Sequence, residues 1–328
     1  MKKKLLICDR FSLESLQLLE SQDYFEIIKA DPITLKDNPH LASSEALLIR
    51  SRALITEELL KQAKKLQVVI TATSGFDHID LEATQKWGIT AMNTPNANRE
   101  SAAQLTLTLM LALNNRLLES HRLTKSGLWR QESALGTELA DKTWGLVGVG
   151  RIGSRVAELA KAFKMNVIAY DPYLSDETFE KYQVKRVSYE ELLKLSDVIS
   201  FHVPKTKETH KMLNASHFEY INRDVFLVNT SRGTVIDEES LVKALENQWI
   251  RGVALDVFEK EPLPRTSKLL NFPEVVMTPH VGAYTEDAFL RASEEAVLKL
   301  IHFFRDGTTS DTLPPKAAWY SSSHFSFL

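Results

Sequence analysis

Three glycines at a fixed spacing constrain this chain more than any other feature. Gly148-Val149-Gly150-Arg151-Ile152-Gly153 follows an apolar run, Trp144–Val147, and opens an amphipathic stretch, Ile152–Phe163. Alone, G-x-G-x-x-G is a weak signal. Here a second apolar run, Val167–Tyr170, ends at Asp171, 18 residues past Gly153, close to where a dinucleotide-binding strand–turn–helix–strand unit carries its acidic residue. Gly148 then permits the tight turn, Gly150 lets the backbone approach a pyrophosphate, and Gly153 lets helix and strand pack closely. Arg151 and Ile152 complete the loop, and the N–H groups at the helix start face the phosphate oxygens. Asp171 accepts from the ribose hydroxyls, whereas a 2′-phosphate would meet a like charge, costing on the order of a few kcal/mol at short range. NAD is therefore the expected cofactor, in preference to NADP.

Short apolar runs rich in β-branched residues recur upstream at Leu5–Cys8, Phe25–Ile28, Ala46–Ile49 and Val68–Thr71, with helical patterns at Leu13–Leu19 and Glu57–Leu66 between them. Parallel strands need crossover helices, so this segment is expected to form one small parallel sheet covered on both faces. Turn residues at Asn93-Thr94-Pro95-Asn96 close it, and a long helical stretch, Glu100 to about Leu118, bridges to a second unit. There the predicted strands are Trp144–Val147, Val167–Tyr170, Val198–His202, Val225–Asn229, Gly252–Val257 and Val275–Met277. Helical patterns at Ile152–Phe163, Glu190–Leu195 and Glu238–Gln248 separate several of them. A last helix, Glu286 to about Arg305, has no strand after it and is expected to return to the first unit. The tail from Asp306 is polar and broken by Pro314-Pro315; partial disorder is expected there, with Trp319, Phe325 and Phe327 available to dock on the body.

Composition narrows the function classes. Across 328 residues, 40 Lys+Arg against 43 Asp+Glu leave a net charge of −3, so no basic field exists to hold a nucleic acid or an anionic membrane. With 44% hydrophobic and 25% charged residues, the chain can bury cores for about two domains. A single cysteine, Cys8, excludes an intramolecular disulfide and cysteine-clustered metal sites, and fits a reducing, cytoplasmic setting. No run approaches the roughly 20 apolar residues of a membrane span. Lys2-Lys3-Lys4 followed by Leu5–Cys8 reads as a first strand and not as a signal peptide.

Oxidising a secondary alcohol requires a base for its proton and the reverse requires an acid, roles that suit histidine. Of nine histidines, His280 stands out in Thr278-Pro279-His280-Val281-Gly282, just after the run Val275–Met277, where an open α/β sheet places its ligand. A carboxylate neighbour would raise its pKa by stabilising the charged form, and Glu261 in Glu259-Lys260-Glu261-Pro262 is one candidate. Arg232, in Asn229-Thr230-Ser231-Arg232-Gly233, offers a cation for a substrate carboxylate and a developing oxyanion. Singly, these three read as a core histidine, a solvated loop acid and a surface ion-pair member. Their shared position after strand ends in one sheet favours a site.

Together, Gly148–Gly153, Asp171, Asp197–Pro204, Asn229–Gly233, Asp256–Pro262 and Thr278–Gly282 resemble the D-isomer-specific 2-hydroxyacid dehydrogenases, and the resemblance reaches upstream through Ser74–Asp80 and Asn93–Asn98. It implies an α/β fold of two Rossmann-like domains, one flavodoxin-like and one NAD-binding, with doubly wound parallel sheets. The substrate-binding domain would be discontinuous, residues 1–98 and 285–328, and the NAD-binding domain 99–284, entered by the helix at about 100–118, with cofactor and substrate between them and closure on binding. In this family's pattern Arg232 binds the substrate carboxyl and carbonyl, His280 donates or accepts the proton, and Glu261 orients His280. His202, Val203, Pro204, Thr209, Thr230, Ser231, Asp256, His280 and Gly282 match cofactor-contacting positions, and Ser74 and Gly75 match the loop whose N–H groups grip the substrate carboxylate. The hydride passes directly between nicotinamide and substrate, so no metal is expected.

Within the family, Ile49-Arg50-Ser51-Arg52 and Ile55–Leu60 most resemble 3-phosphoglycerate dehydrogenases, in which basic residues at this loop engage the phosphate. Arg50 and Arg52 are the candidates, and the alternative is that one or both decorate a surface loop. Gly127–Arg130 through Gly136–Leu139 resembles the region through which that subfamily pairs, so a homodimer is expected. The chain leaves no room for the C-terminal serine-sensing domain of many such enzymes, so feedback by that route is not expected. Thr71–His78 is closer to the loop of 4-phosphoerythronate dehydrogenases and glyoxylate reductases than to an Arg-containing version, and Gln104 stands where the family usually has Glu. The expected activity is oxidation of 3-phosphoglycerate to 3-phosphohydroxypyruvate, as in serine biosynthesis. The alternatives are a glyoxylate or hydroxypyruvate reductase, a 4-phosphoerythronate dehydrogenase, or an NAD(H)-sensing corepressor.

Overall fold

Strands form where the apolar runs leave no polar face to water. In the computed structural model, which describes residues 2–130 and 135–320, β1 (Lys3–Cys8), β2 (Phe25–Ala30), β3 (Ala46–Ile49), β4 (Val68–Thr71) and β5 (Thr90–Asn93) pair in parallel. Every residue of β3 and β4 is buried, which requires cover on both faces. Alternation along β1 supplies it: Leu5 and Ile7 pack with α1 (Leu13–Glu20) and α10 (Glu286–Asp306), while Leu6 and Cys8 pack with α2 (Glu57–Gln62) and α3 (Leu81–Lys86). A short antiparallel strand, Thr312–Leu313, closes the edge beside β5. The sheet order, β5-β4-β3-β1-β2, reverses direction between β1 and β3.

The second sheet is parallel throughout. Its strands are β6 (Thr143–Val147), β7 (Asn166–Tyr170), β8 (Lys185–Arg186), β9 (Val198–Phe201), β10 (Phe226–Asn229), β11 (Gly252–Leu255) and β12 (Val275–Met277). Their order, β12-β11-β10-β9-β6-β7-β8, reverses between β6 and β9. The crossovers include α6 (Arg151–Ala162), α7 (Asp176–Lys181), α8 (Tyr189–Leu195) and α9 (Glu238–Glu246). The chain divides into two compact units, Met1–Asn98 with Tyr284–Leu328, and Arg99–Ala283. Among the described residues, no helix is long and apolar enough to cross a membrane.

The strands expected from the apolar runs are present with ends shifted by a residue or two, and the helices differ more. The single helix expected over 100–118 is two, α4 (Arg99–Asn114) and α5 (Leu117–Lys125), because Arg116 is left-handed (φ 49°) and halts propagation. Buried Asn114 fixes the break by donating to Thr137 O at 2.5 Å and accepting from Thr137 Oγ1 at 2.6 Å. The helix expected to Leu66 stops at Gln62. β5, β8, α3 and α7 had no counterpart in the apolar pattern: β8 is two exposed cations that become a strand only by pairing with β7. In the tail, Trp319 stacks on Phe76 with ring centroids 6.4 Å apart, while Phe325 and Phe327 lie outside the described residues.

Candidate active site

Most helix starts here are closed by a side chain. Ser12, Thr56, Asp80, Ser188, Asp237 and Thr285 each accept from a first-turn N–H. α6 starts on Gly150 with no capping side chain. Ser154 N–H is the first to bond back, to Gly150 O at 3.0 Å, which leaves the N–H groups of Arg151, Ile152 and Gly153 directed out of the helix end. A Cβ built on Gly150 meets nothing within 4 Å, so the loop is open on the side that a pyrophosphate would take. Behind it there is no room: Gly148 is at φ 92°, and a Cβ on Gly153 would lie 2.1 Å from Gly148 O. The open face and uncapped helix end fit a dinucleotide phosphate.

His202 and Val203, after β9, line the back of that turn, 2.7 and 2.9 Å from a Cβ placed on Gly148. His202 Nε2 shares a 2.8 Å hydrogen bond with Ser200 Oγ, which also accepts from Trp144 Nε1. Burial pushes the imidazole pKa down to about 3, so His202 is a neutral wall. Thr209 Oγ1 donates to Pro204 O at 2.6 Å and accepts from Thr206 N, bracing the Pro204–Thr209 turn from within. Asp171 stands at the end of β7, its carboxylate set by the N–H groups of Val149 and Tyr173, both at 3.0 Å. These residues surround the reversal between β6 and β9, where an open sheet of this order takes its ligand.

On the same unit, the loop after β12 brings His280 to Glu261. Nδ1 lies 2.6 Å from Glu261 Oε2, and Glu261 Oε1 accepts from Phe258 N at 3.0 Å. The Glu261 hydrogen bond raises the His280 pKa above its ordinary value, against an opposing contribution from burial. Burial works to raise the Glu261 carboxyl, but the hydrogen bond and charge of His280 outweigh it and hold the net pKa below the usual carboxylate value. Arg232 lies near enough that its charge favours the ionised Glu261 and opposes protonation of His280. The imidazole itself is about half exposed, so its outer nitrogen is open to a ligand.

Two residues act here in ways the sequence pattern did not show. Asp256, fully buried, accepts from Thr278 Oγ1 at 2.6 Å and from the N–H groups of Val281 and Gly282 at 2.8 Å, and its carbonyl takes His280 N–H. It thereby holds His280 in a left-handed conformation (φ 54°). Gly233 is the other: a Cβ there would fall 1.9 Å from the Phe258 carbonyl, so only glycine lets the Arg232 loop cross the strand exit that leads to Glu261. Asn229 ties that loop together, donating to Arg232 O at 2.9 Å and accepting from Ser231 N and Oγ. Thr230 is anchored to Thr106 of α4 at 2.8 Å. A polar side chain ending a buried strand, with glycine four residues on, was the available signal.

On the first unit, Ser74 and Gly75 follow β4. Thr73 Oγ1 donates to Gly75 O at 2.7 Å, Ser74 Oγ to Pro95 O at 3.2 Å, and Asn93 Nδ2 to Ser74 O at 2.7 Å. These bonds use carbonyls and side chains, while the Ser74 and Gly75 N–H groups take no part in them. Arg50 and Arg52 prove unequal. Arg50, after β3, is half-buried with its pKa lowered by burial; Arg52 is exposed on the turn beyond.

Comparisons with known proteins now bear on the whole arrangement. A family profile for the D-isomer specific 2-hydroxyacid dehydrogenase, NAD binding domain, matches residues 107–282. The chain belongs to the D-isomer specific 2-hydroxyacid dehydrogenase family. Residues 107–282 are its NAD-binding domain. D-3-phosphoglycerate dehydrogenase of Bacillus subtilis is 38% identical over 300 residues, 92% of this chain and 57% of that protein. The chain spans about half the length of the curated relatives it matches. Among solved structures of this fold, the TT0316 protein of Thermus thermophilus superposes with a TM-score of 0.85 at 33% identity, covering 94% of this chain and 99% of that one. D-lactate dehydrogenase of Aquifex aeolicus, complexed with NAD and lactic acid, gives 0.83 at 33% identity, covering 92% and 96%.

Proposed function

We propose that this chain is an NAD-dependent dehydrogenase of D-2-hydroxy acids and that its substrate is 3-phosphoglycerate, oxidised to 3-phosphohydroxypyruvate. The observation that carries the reading is the His280–Glu261 pair at 2.6 Å beside Arg232, on the unit that bears the dinucleotide loop. NAD, when bound, supplies the hydride acceptor. Gly148–Gly153 hold its pyrophosphate through backbone N–H groups, and Asp171 takes the ribose hydroxyls and disfavours a 2′-phosphate. Arg232 binds the substrate carboxylate and carbonyl oxygen; on the first unit, the Ser74 and Gly75 N–H groups are donors suited to a carboxylate.

His280 takes the hydroxyl proton at its outer nitrogen, while Glu261, on Nδ1, fixes the ring and stabilises the imidazolium that forms. In the reducing direction the same imidazolium returns the proton. The raised pKa keeps that acid populated to higher pH than an unassisted histidine would. Arg50 receives the phosphate of the substrate.

The Thr71–His78 loop, which resembles that of 4-phosphoerythronate dehydrogenases and glyoxylate reductases, favours a second reading, reduction of glyoxylate or hydroxypyruvate. A substrate panel followed at the nicotinamide absorbance band separates the two. The first reading expects a clear preference in kcat/KM for the phosphorylated acid; equal or better use of the unphosphorylated ones overturns it.

A homodimer forms through the stretch after α4. α5 has no buried residue, and Leu117, Leu118, Leu128, Trp129 and Leu135 are all exposed, Trp129 to 67% and Leu135 to 89%. Sedimentation equilibrium is expected to give twice the chain mass, and a Trp129→Glu variant to shift it toward the monomer.

A further inference from the structure

The first sheet ends in an arrangement around Arg50 that the phosphate reading does not by itself explain. Arg50 leaves β3 and Phe11 follows β1, so the two flank the reversal between those strands, where a sheet of this order opens a crevice beyond its carboxyl ends. Phe289 reaches the same place from α10, at the other end of the chain. The Arg50 guanidinium lies 6.0 Å from the centroid of the Phe11 ring and 5.0 Å from that of Phe289. Phe11 is 7% exposed and Phe289 half-buried.

Ring faces attract a guanidinium through their quadrupole, yet they offer no acceptor to its N–H groups. Among the described residues, Arg50 Nη1 is buried without a hydrogen-bond partner. Asp9, whose charge bears on Arg50, spends Oδ1 on the N–H of Arg10 at 2.8 Å. A desolvated cationic donor left in this state is costly until an anionic oxygen reaches it. The rings thus fix where the fork points while leaving its donors for something else to satisfy.

We propose that Phe11 and Phe289 form an aromatic clamp that positions the Arg50 guanidinium to receive the distal anionic group of the substrate. The inference rests on the reading that Arg50 takes the substrate phosphate, and it assigns the two rings as positioning residues for that contact. A leucine keeps the site apolar, though smaller, but lacks the quadrupole, so the fork loses its fixed direction.

The test uses Phe289→Leu in the full chain, with 3-phosphoglycerate and D-glycerate as paired substrates. The KM for 3-phosphoglycerate is expected to rise about five- to tenfold at near-constant kcat. The KM for D-glycerate, which lacks the phosphate, moves far less, and Phe289→Tyr restores the parent value. A packing role alone would lower the thermal midpoint and depress both substrates together, and that result overturns the clamp. So does an unchanged KM for 3-phosphoglycerate in Phe289→Leu while Arg50→Met raises it, which leaves the phosphate reading standing. If Arg50→Met also has no effect, the phosphate reading fails and the clamp with it. Phe11→Leu, at the more buried ring, is the second variant and is expected to show the same KM-against-kcat split.

Discussion

The two sheets carry the same topological device and equip it differently. At the reversal between β6 and β9, the second unit presents backbone: an uncapped helix start, a left-handed Gly148 and an open Gly150. At the reversal between β1 and β3, the first unit presents one side chain, Arg50, between two aromatic rings. A backbone cradle depends on the path of the main chain, and behind it a Cβ on Gly148 or Gly153 would run into backbone carbonyl oxygens. A side-chain receptor is free to change with the substrate, because its replacement alters recognition without rebuilding the turn. On the function proposed above, specificity rests with the first unit and the chemistry with the second.

His280→Ala tests that division most severely. It is expected to lower kcat about a thousandfold, a size usual for a lost general acid–base group, while NADH binding is retained. A turnover loss no larger than that of Arg50→Met would break the division. Next in size, Gly153→Val drives a side chain into Gly148 O and is expected to cost about 3 kcal/mol of stability together with NAD affinity, read by thermal unfolding and cofactor titration. Arg50→Met should instead leave the thermal midpoint near the parent value and raise the KM for 3-phosphoglycerate about 10- to 100-fold, as for a lost hydrogen bond to a charged group. If both variants lose stability alike, the contrast between backbone and side-chain receptors does not hold.

The smallest effect expected is a displacement of a pH profile. Glu261 raises the His280 pKa, so Glu261→Gln lowers it. Oxidation needs neutral imidazole, and its rising limb in kcat/KM moves to lower pH in the variant. Reduction needs imidazolium and loses rate at lower pH than the parent. A profile that does not move in either direction removes Glu261 from the proton-transfer machinery.

Much of the second unit was legible because its signals are local. The glycine spacing, Asp171 at a strand end and the loop around His280 each lie within a few residues of an apolar run, and the runs became strands because only a covered parallel sheet buries both their faces. The break between α4 and α5 was hidden, since nothing in the composition near Asn114 announces its bonds to Thr137. Edge pairing was equally silent: β8 and the strand Thr312–Leu313 exist only because a neighbouring strand offers free backbone groups.

The sequence alone determined the class of fold, the dinucleotide loop and the identity of the acid–base and cationic candidates, because spacing of a few residues and apolar periodicity encode those directly. Tertiary structure alone decided that Asp256 holds the His280 loop, that Gly233 clears the path to Glu261, and that Arg50, and not Arg52, sits between rings. The physical reason is separation along the chain. Phe11, Arg50 and Phe289 come from three distant segments, and their contact exists only once two strands and a returning helix have been packed into one body.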